Sequence, residues 1–155
     1  MDIADLIKED LICLDGQVDD DKTAIKTLGE MMVHQGYIKP AYIIAVSERE
    51  NDFPTGIVLK NDGIAIPHAT PADNIIKNGI AVLRLTRAVK FRSMENPDNV
   101  VSVKLIFMLA LKRANQHLSI LQKLFGIFQQ EKLIQKLQET KNKDEFCKIM
   151  IENLA

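Results

Sequence analysis

Ala24, Ile25, Leu28, Met31 and Met32 recur at the spacing of one helical face within the run DDDKTAIKTLGEMMVHQGYI. Acids precede them, where they suit the positive end of a helix, and Gly36 follows, so the pattern predicts a helix ending near that glycine. A shorter helix is predicted from Pro40 over AYIIAVSEREN, because proline is at home in a first turn; Arg49 lies at its polar end. The period then changes. GIVL (56–59) and IAI (64–66) flank KNDG, where Asp62-Gly63 is a favoured hairpin turn. GIAVLRLT (79–86) and VVSVKLIFMLAL (100–111) read as longer strands, the second apolar on both faces like a central strand covered on both sides. FRSMENPDN between them is polar, contains Pro97 and reads as a loop.

From Asn115 the helical period returns. Leu118, Leu121, Leu124, Phe125 and Phe128 define one broad face, Leu133, Ile134 and Leu137 begin a further helix, and Phe146, Ile149 and Met150 mark the last. Two helices, then strands, then helices predict an α/β sandwich with a mixed sheet flanked by helices on both faces. With no repeat, linker or low-complexity tract, residues 1–155 read as a single domain.

Composition narrows the function more than the fold. The chain has 155 residues, 46% hydrophobic and 26% charged, with a net charge of −1, which gives no footprint for nucleic acid or an anionic membrane. Cys13 and Cys147 have no paired or metal-type spacing; both read as buried small apolar residues, and a reduced, cytoplasmic location is expected. MDIADLIKEDLICL carries acids and no sustained apolar run, unlike a secretory leader, and no stretch is long enough to span a bilayer.

The candidate chemistry rests on three histidines. His34 falls at the end of the first helix, where the dipole alone accounts for it. His68 follows Pro67, which cannot donate to a sheet ladder and so ends the strand, placing the imidazole where open α/β sheets hold ligands. His117 falls in the first turn of an apolar helix, on a stripe with Ile120, Leu121 and Leu124, near an end that attracts anions. No Gly-rich phosphate loop, Gly-x-Ser-x-Gly elbow or metal-ligand spacing is present, and no cofactor or metal is expected. An imidazole titrating near neutrality, able to take and release a phosphoryl group, is the chemistry left.

GIAIPHA, with SERENDFPTG upstream and NQHLSILQKLF downstream, resembles the IIA component of the fructose/mannitol class of the bacterial phosphoenolpyruvate-dependent sugar phosphotransferase system, in order over nearly the whole chain. The resemblance implies that His68 is phosphorylated, by family analogy on Nε2. It also implies that His117 supports the site, that Arg49 bridges to the phosphoryl oxygens and that the Thr55 hydroxyl adds a hydrogen bond. The donor implied is the phosphocarrier HPr, the acceptor a cysteine of a IIB component, and the route leads to a membrane IIC. FPTG and FRSMENPDNVVSVKLIFMLAL resemble the galactitol branch. The family often has Gly-x-Gly before the strand, whereas here Gly56 and Gly63 are separated by an extra hairpin. A nitrogen-regulatory IIA, whose phosphorylation state controls its partners, is the alternative within the same resemblance. An apolar, shallow docking face is expected around the pocket, since two proteins must meet it in turn.

Overall fold

A five-stranded mixed sheet lies between two helical layers in the computed structural model of the protein, which describes residues 3–154. After 3-10 turns at Ile3–Asp5 and Glu9–Leu11 come β1 (Ile12–Gly16), α1 (Asp21–His34), α2 (Pro40–Asp52), β2 (Gly56–Ile57) and β3 (Gly63–Ala65). The chain continues through β4 (Gly79–Arg92), β5 (Val100–Ala110), α3 (Ala114–Phe128), α4 (Glu131–Glu139) and α5 (Lys143–Leu154). The strand order is β1-β4-β5-β3-β2. β1 runs parallel to β4 and β3 parallel to β5, while the β4/β5 and β2/β3 pairs are antiparallel.

Period-2 alternation on the central strands builds two cores. Ile80, Val82, Leu105 and Phe107 face Ile120 and Leu124 of α3, Leu137 of α4 and Phe146 of α5. Ala81, Leu83, Ile106 and Met108 face Ala24, Ile25 and Leu28 of α1 and Tyr42 and Val46 of α2. Burying both faces is why β5 reads as an almost unbroken apolar run. The helix limits follow from their ends: the Asp20 side chain accepts from Thr23 N at 2.8 Å, Gly36 takes a φ of 81° just beyond α1, and Pro40 opens α2.

Several expectations need correction. Asp62-Gly63 is not the hairpin turn: the hairpin exists, pairing Gly56 with Ala65 and Ile57 with Ile64, but Gly63 is already in β3 and 58–62 form the connection. Gly63 is there for space, since a Cβ would lie 2.4 Å from Val101 Cγ1 and 2.5 Å from the Ile57 carbonyl oxygen. FRSMENPDN is not loop throughout; β4 runs on to Arg92, because a register shift between Arg84 and Val89 restores alternation and turns Val89 and Phe91 inward. Edge strand β1 escapes a periodicity reading because its buried face is only Ile12, Leu14 and Gly16. Leu118 leaves the apolar face and is 61% exposed, and Cys13 is half-buried, whereas Cys147 is buried. No described helix is long and apolar enough to cross a membrane.

Candidate active site

β3 hands the chain directly to His68. After Ala65 the backbone stays tied to its neighbours: the Pro67 carbonyl accepts from Leu109 N at 3.1 Å, so the segment remains against β5 although Pro67 has no N–H to offer. Beyond the histidine, Ala69 N donates to the Tyr42 hydroxyl at 3.1 Å, and that hydroxyl donates to the Leu109 carbonyl at 2.7 Å. Tyr42 is fully buried, and burial pushes its pKa up to about 12, so it stays a neutral donor. His68 is thus a half-buried side chain on a backbone anchored on both sides.

Its imidazole is oriented by one bond. Nδ1 lies 2.8 Å from the Ile66 carbonyl oxygen, and a carbonyl only accepts, so Nδ1 carries the hydrogen and Nε2 the lone pair. Burial holds the pKa of His68 below the usual value, and Arg49 adds to the same effect, which keeps the ring neutral and nucleophilic near pH 7.

His117 enters from the opposite helical layer, on the first turn of α3. The start of that helix is fixed by Asn78 Oδ1 accepting from Lys112 N at 2.8 Å and by Gln116 Oε1 accepting from Arg113 N at 3.2 Å. Its Nε2 donates to the Leu111 carbonyl at 3.1 Å, leaving Nδ1 with the lone pair. The two rings stand edge to face with centroids 5.6 Å apart. Burial above all, then His68 and Arg49, pushes the pKa of His117 down to about 4.

Arg49, in the last turn of α2, is the third member. Its charge helps to hold the pKa of both histidines down. Its Cζ stacks 4.9 Å from the Phe53 ring centre, and its Nε is a buried donor without a hydrogen-bond partner. An unsatisfied guanidinium donor whose charge reaches a neutral imidazole, with a second imidazole on the first turn of a helix, suits a small tetrahedral anion.

Thr55 departs from expectation. Its hydroxyl is spent inside the protein, donating to Glu50 Oε1 at 2.8 Å and accepting from Ile66 N at 3.2 Å, so the expected direct hydrogen bond to a phosphoryl group is not available to it. His34, at the exposed end of α1, takes no part in the site. Sequence reasoning missed Tyr42 and Glu50. Glu50 follows a candidate arginine in the sequence, and Tyr42 lies two turns earlier in the same helix, but neither signal distinguishes a support from ordinary helix surface. Among the described residues no group of His, Cys, Asp or Glu is arranged to hold a metal. A cleft of about 670 Å³ over Arg84, Thr86 and Lys104 lies toward the start of β3, away from the His68 end.

The family profile described as "Phosphoenolpyruvate-dependent sugar phosphotransferase system, EIIA 2" matches residues 5–153, so the chain belongs to that family of phosphotransferase-system components. It is 34% identical to the galactitol-specific EIIA component of Escherichia coli K12 over 137 residues, covering 86% of this chain and 90% of that protein. Its fold is similar to that of E. coli enzyme IIAMTL in complex with phosphorylated enzyme IIBMTL, with a TM-score of 0.76 and 26% identity over 94% of this chain and 96% of that one. It is likewise similar to the nitrogen regulatory protein IIA-Ntr of Neisseria meningitidis, with a TM-score of 0.80 and 26% identity over 96% of this chain and 98% of that one.

Proposed function

We propose that this protein is a phosphocarrier in which His68 accepts a phosphoryl group from phospho-HPr and passes it to a cysteine of a IIB component. The uptake and phosphorylation of a polyol of the galactitol type would follow through a membrane IIC. The observation that carries the reading is the convergence of three side chains: neutral His68 with Nε2 free, His117 edge-on to it, and Arg49 with an unpartnered Nε.

In the transfer, the Nε2 lone pair forms a bond to phosphorus in line as the N–P bond to the HPr imidazole breaks and its electrons return to that ring. Arg49 meets the charge on the equatorial oxygens. A dianion beside His117 favours its protonated form, so a ring that starts neutral becomes a donor to the phosphoryl group once the charge arrives. In the onward step a thiolate sulfur attacks phosphorus and His68 leaves with the lone pair restored on Nε2. Phosphohistidine supplies the group ready-made, so the two protein surfaces and these side chains suffice for the chemistry.

Docking fits the exposed apolar residues around the pocket. Phe53, 61% exposed, stacks on Arg49, and Leu118 directly follows His117. The test is incubation with phosphoenolpyruvate, Enzyme I and HPr: one acid-labile, base-stable phosphate is expected on the wild type and none on His68→Ala. Labelling of the alanine variant at the wild-type level would refute the assignment. The TM-score to IIA-Ntr keeps a signalling role as the second reading, and transfer to a panel of IIB proteins separates them, since only a transport IIA discharges rapidly to one of that panel.

A further inference from the structure

Glu50 is a buried carboxylate, 7% exposed, outside the four ion pairs found among the described residues. Burial of an acid is costly and pushes its pKa up to about 7, so its oxygens need hydrogen-bond donors. Both oxygens go to one residue: Oε2 accepts from Thr55 N and Oε1 from Thr55 Oγ1, each at 2.8 Å. With its hydrogen committed, the Thr55 hydroxyl has a lone pair for Ile66 N at 3.2 Å. Ile66 lies one residue beyond β3, so Thr55 takes the place of a strand partner for that N–H. The other polar group of Ile66, its carbonyl, is the one that accepts from His68 Nδ1.

We propose that Glu50 is a positioning residue for His68: acting through Thr55 it fixes the backbone of Ile66, whose carbonyl holds the imidazole with hydrogen on Nδ1 and leaves Nε2 to attack. The inference rests on the reading that His68 takes the phosphoryl group. Three hydrogen bonds link the carboxylate to the ring, and all the donors and acceptors lie in the protein interior or at its edge, where such bonds hold geometry best. A displacement of an attacking atom by about 1 Å can cost ~100-fold in rate, so loosening this support should be visible in the transfer step.

The test uses Thr55→Val, which keeps shape and removes the hydroxyl, Thr55→Ser, which keeps the hydroxyl, and Glu50→Leu, which removes both acceptors. Two readouts are taken on each folded variant: the rate of labelling by phospho-HPr, and the nitrogen chemical shifts of the His68 ring in unphosphorylated, histidine-labelled protein. Thr55→Val and Glu50→Leu should each slow labelling by about tenfold to a hundredfold and turn the single Nδ1–H tautomer into a mixture, with the double variant no slower than the worse single. Thr55→Ser should restore both readouts to near wild type. If folded Thr55→Val labels at the wild-type rate with the tautomer unchanged, the support does not exist; should Glu50→Leu not fold, Thr55→Val still decides. His68→Ala separates the two levels: if that variant is labelled, the parent reading fails, whereas an inert His68→Ala beside a fully active Thr55→Val defeats only the role of Glu50.

Discussion

At the scale of single residues, the site depends on which nitrogen is already engaged. His68 offers Nε2 because Nδ1 is occupied, and His117 offers Nδ1 because Nε2 is occupied. Arg49 is the complementary case, a donor left open: its Nε is buried and unpaired while its guanidinium plane is held by the Phe53 ring. Lysine at this position would keep the charge but lose both the Nε donor and the planar stacking. Arg49→Lys is therefore expected to lower the rate of labelling by phospho-HPr at least ~tenfold while leaving the unfolding temperature close to wild type. Retention of full rate by that variant would mean that point charge alone suffices.

At the scale of elements, short β3 decides where the His68 ring stands, and it tolerates little. A Cβ at Gly63 meets the Ile57 backbone as well as Val101, so Gly63→Ala must push β3 away from β2 or β5, at a cost of about 1–3 kcal/mol in stability. Gly126, on the exposed side of α3, has nothing within 4 Å of an added Cβ, and Gly126→Ala should stabilise by about 0.5–1 kcal/mol through helix propensity. Denaturant melts of the two variants check both signs. The helices were legible in the sequence because amphipathic spacing and end signals agree, as at Asp20, Gly36 and Pro40. The strands were legible only where they are long and apolar. β1 and the far half of β4 were not, since the first is an edge with three inward residues and the second depends on a bulge that periodicity cannot anticipate. Among the candidate site residues, His68 and His117 stood out by their own chemistry and position, whereas Arg49 stood out only through the family resemblance. Glu50 and Tyr42 act through backbone groups brought close only by folding, and Thr55 was assigned a free hydroxyl that tertiary contacts had already claimed.

At the scale of the whole molecule, burial of opposite kinds of titrating group makes stability depend on pH in two opposed ways. His117 titrates near 6.5 when unfolded and about 4 when folded, so falling pH protonates the unfolded chain first and stability is lost between those values. Glu50 titrates near 4.5 when unfolded and about 7 when folded, so falling pH protonates the folded state first and stability is gained from pH 7 down to 4.5. Each effect amounts to ~2 kcal/mol between pH 7 and pH 5, and they offset each other. Relative to wild type, His117→Gln should therefore gain about 2 kcal/mol on going from pH 7 to pH 5, and Glu50→Gln should lose a similar amount. Urea melts at the two pH values measure this, and parallel behaviour of all three proteins would contradict it.

Arg49 and His117 come from helices that pack into separate cores on opposite faces of the sheet, yet one imidazole answers to both, to His117 by ring contact and to Arg49 by charge. A charge arriving on that ring would act as a rivet through the sandwich, drawing the end of α2 and the start of α3 toward a common point. On the proposed reading a loaded protein would be stiffer than an empty one, so a partner that prefers the stiff form would tell the two apart before touching the phosphoryl group itself.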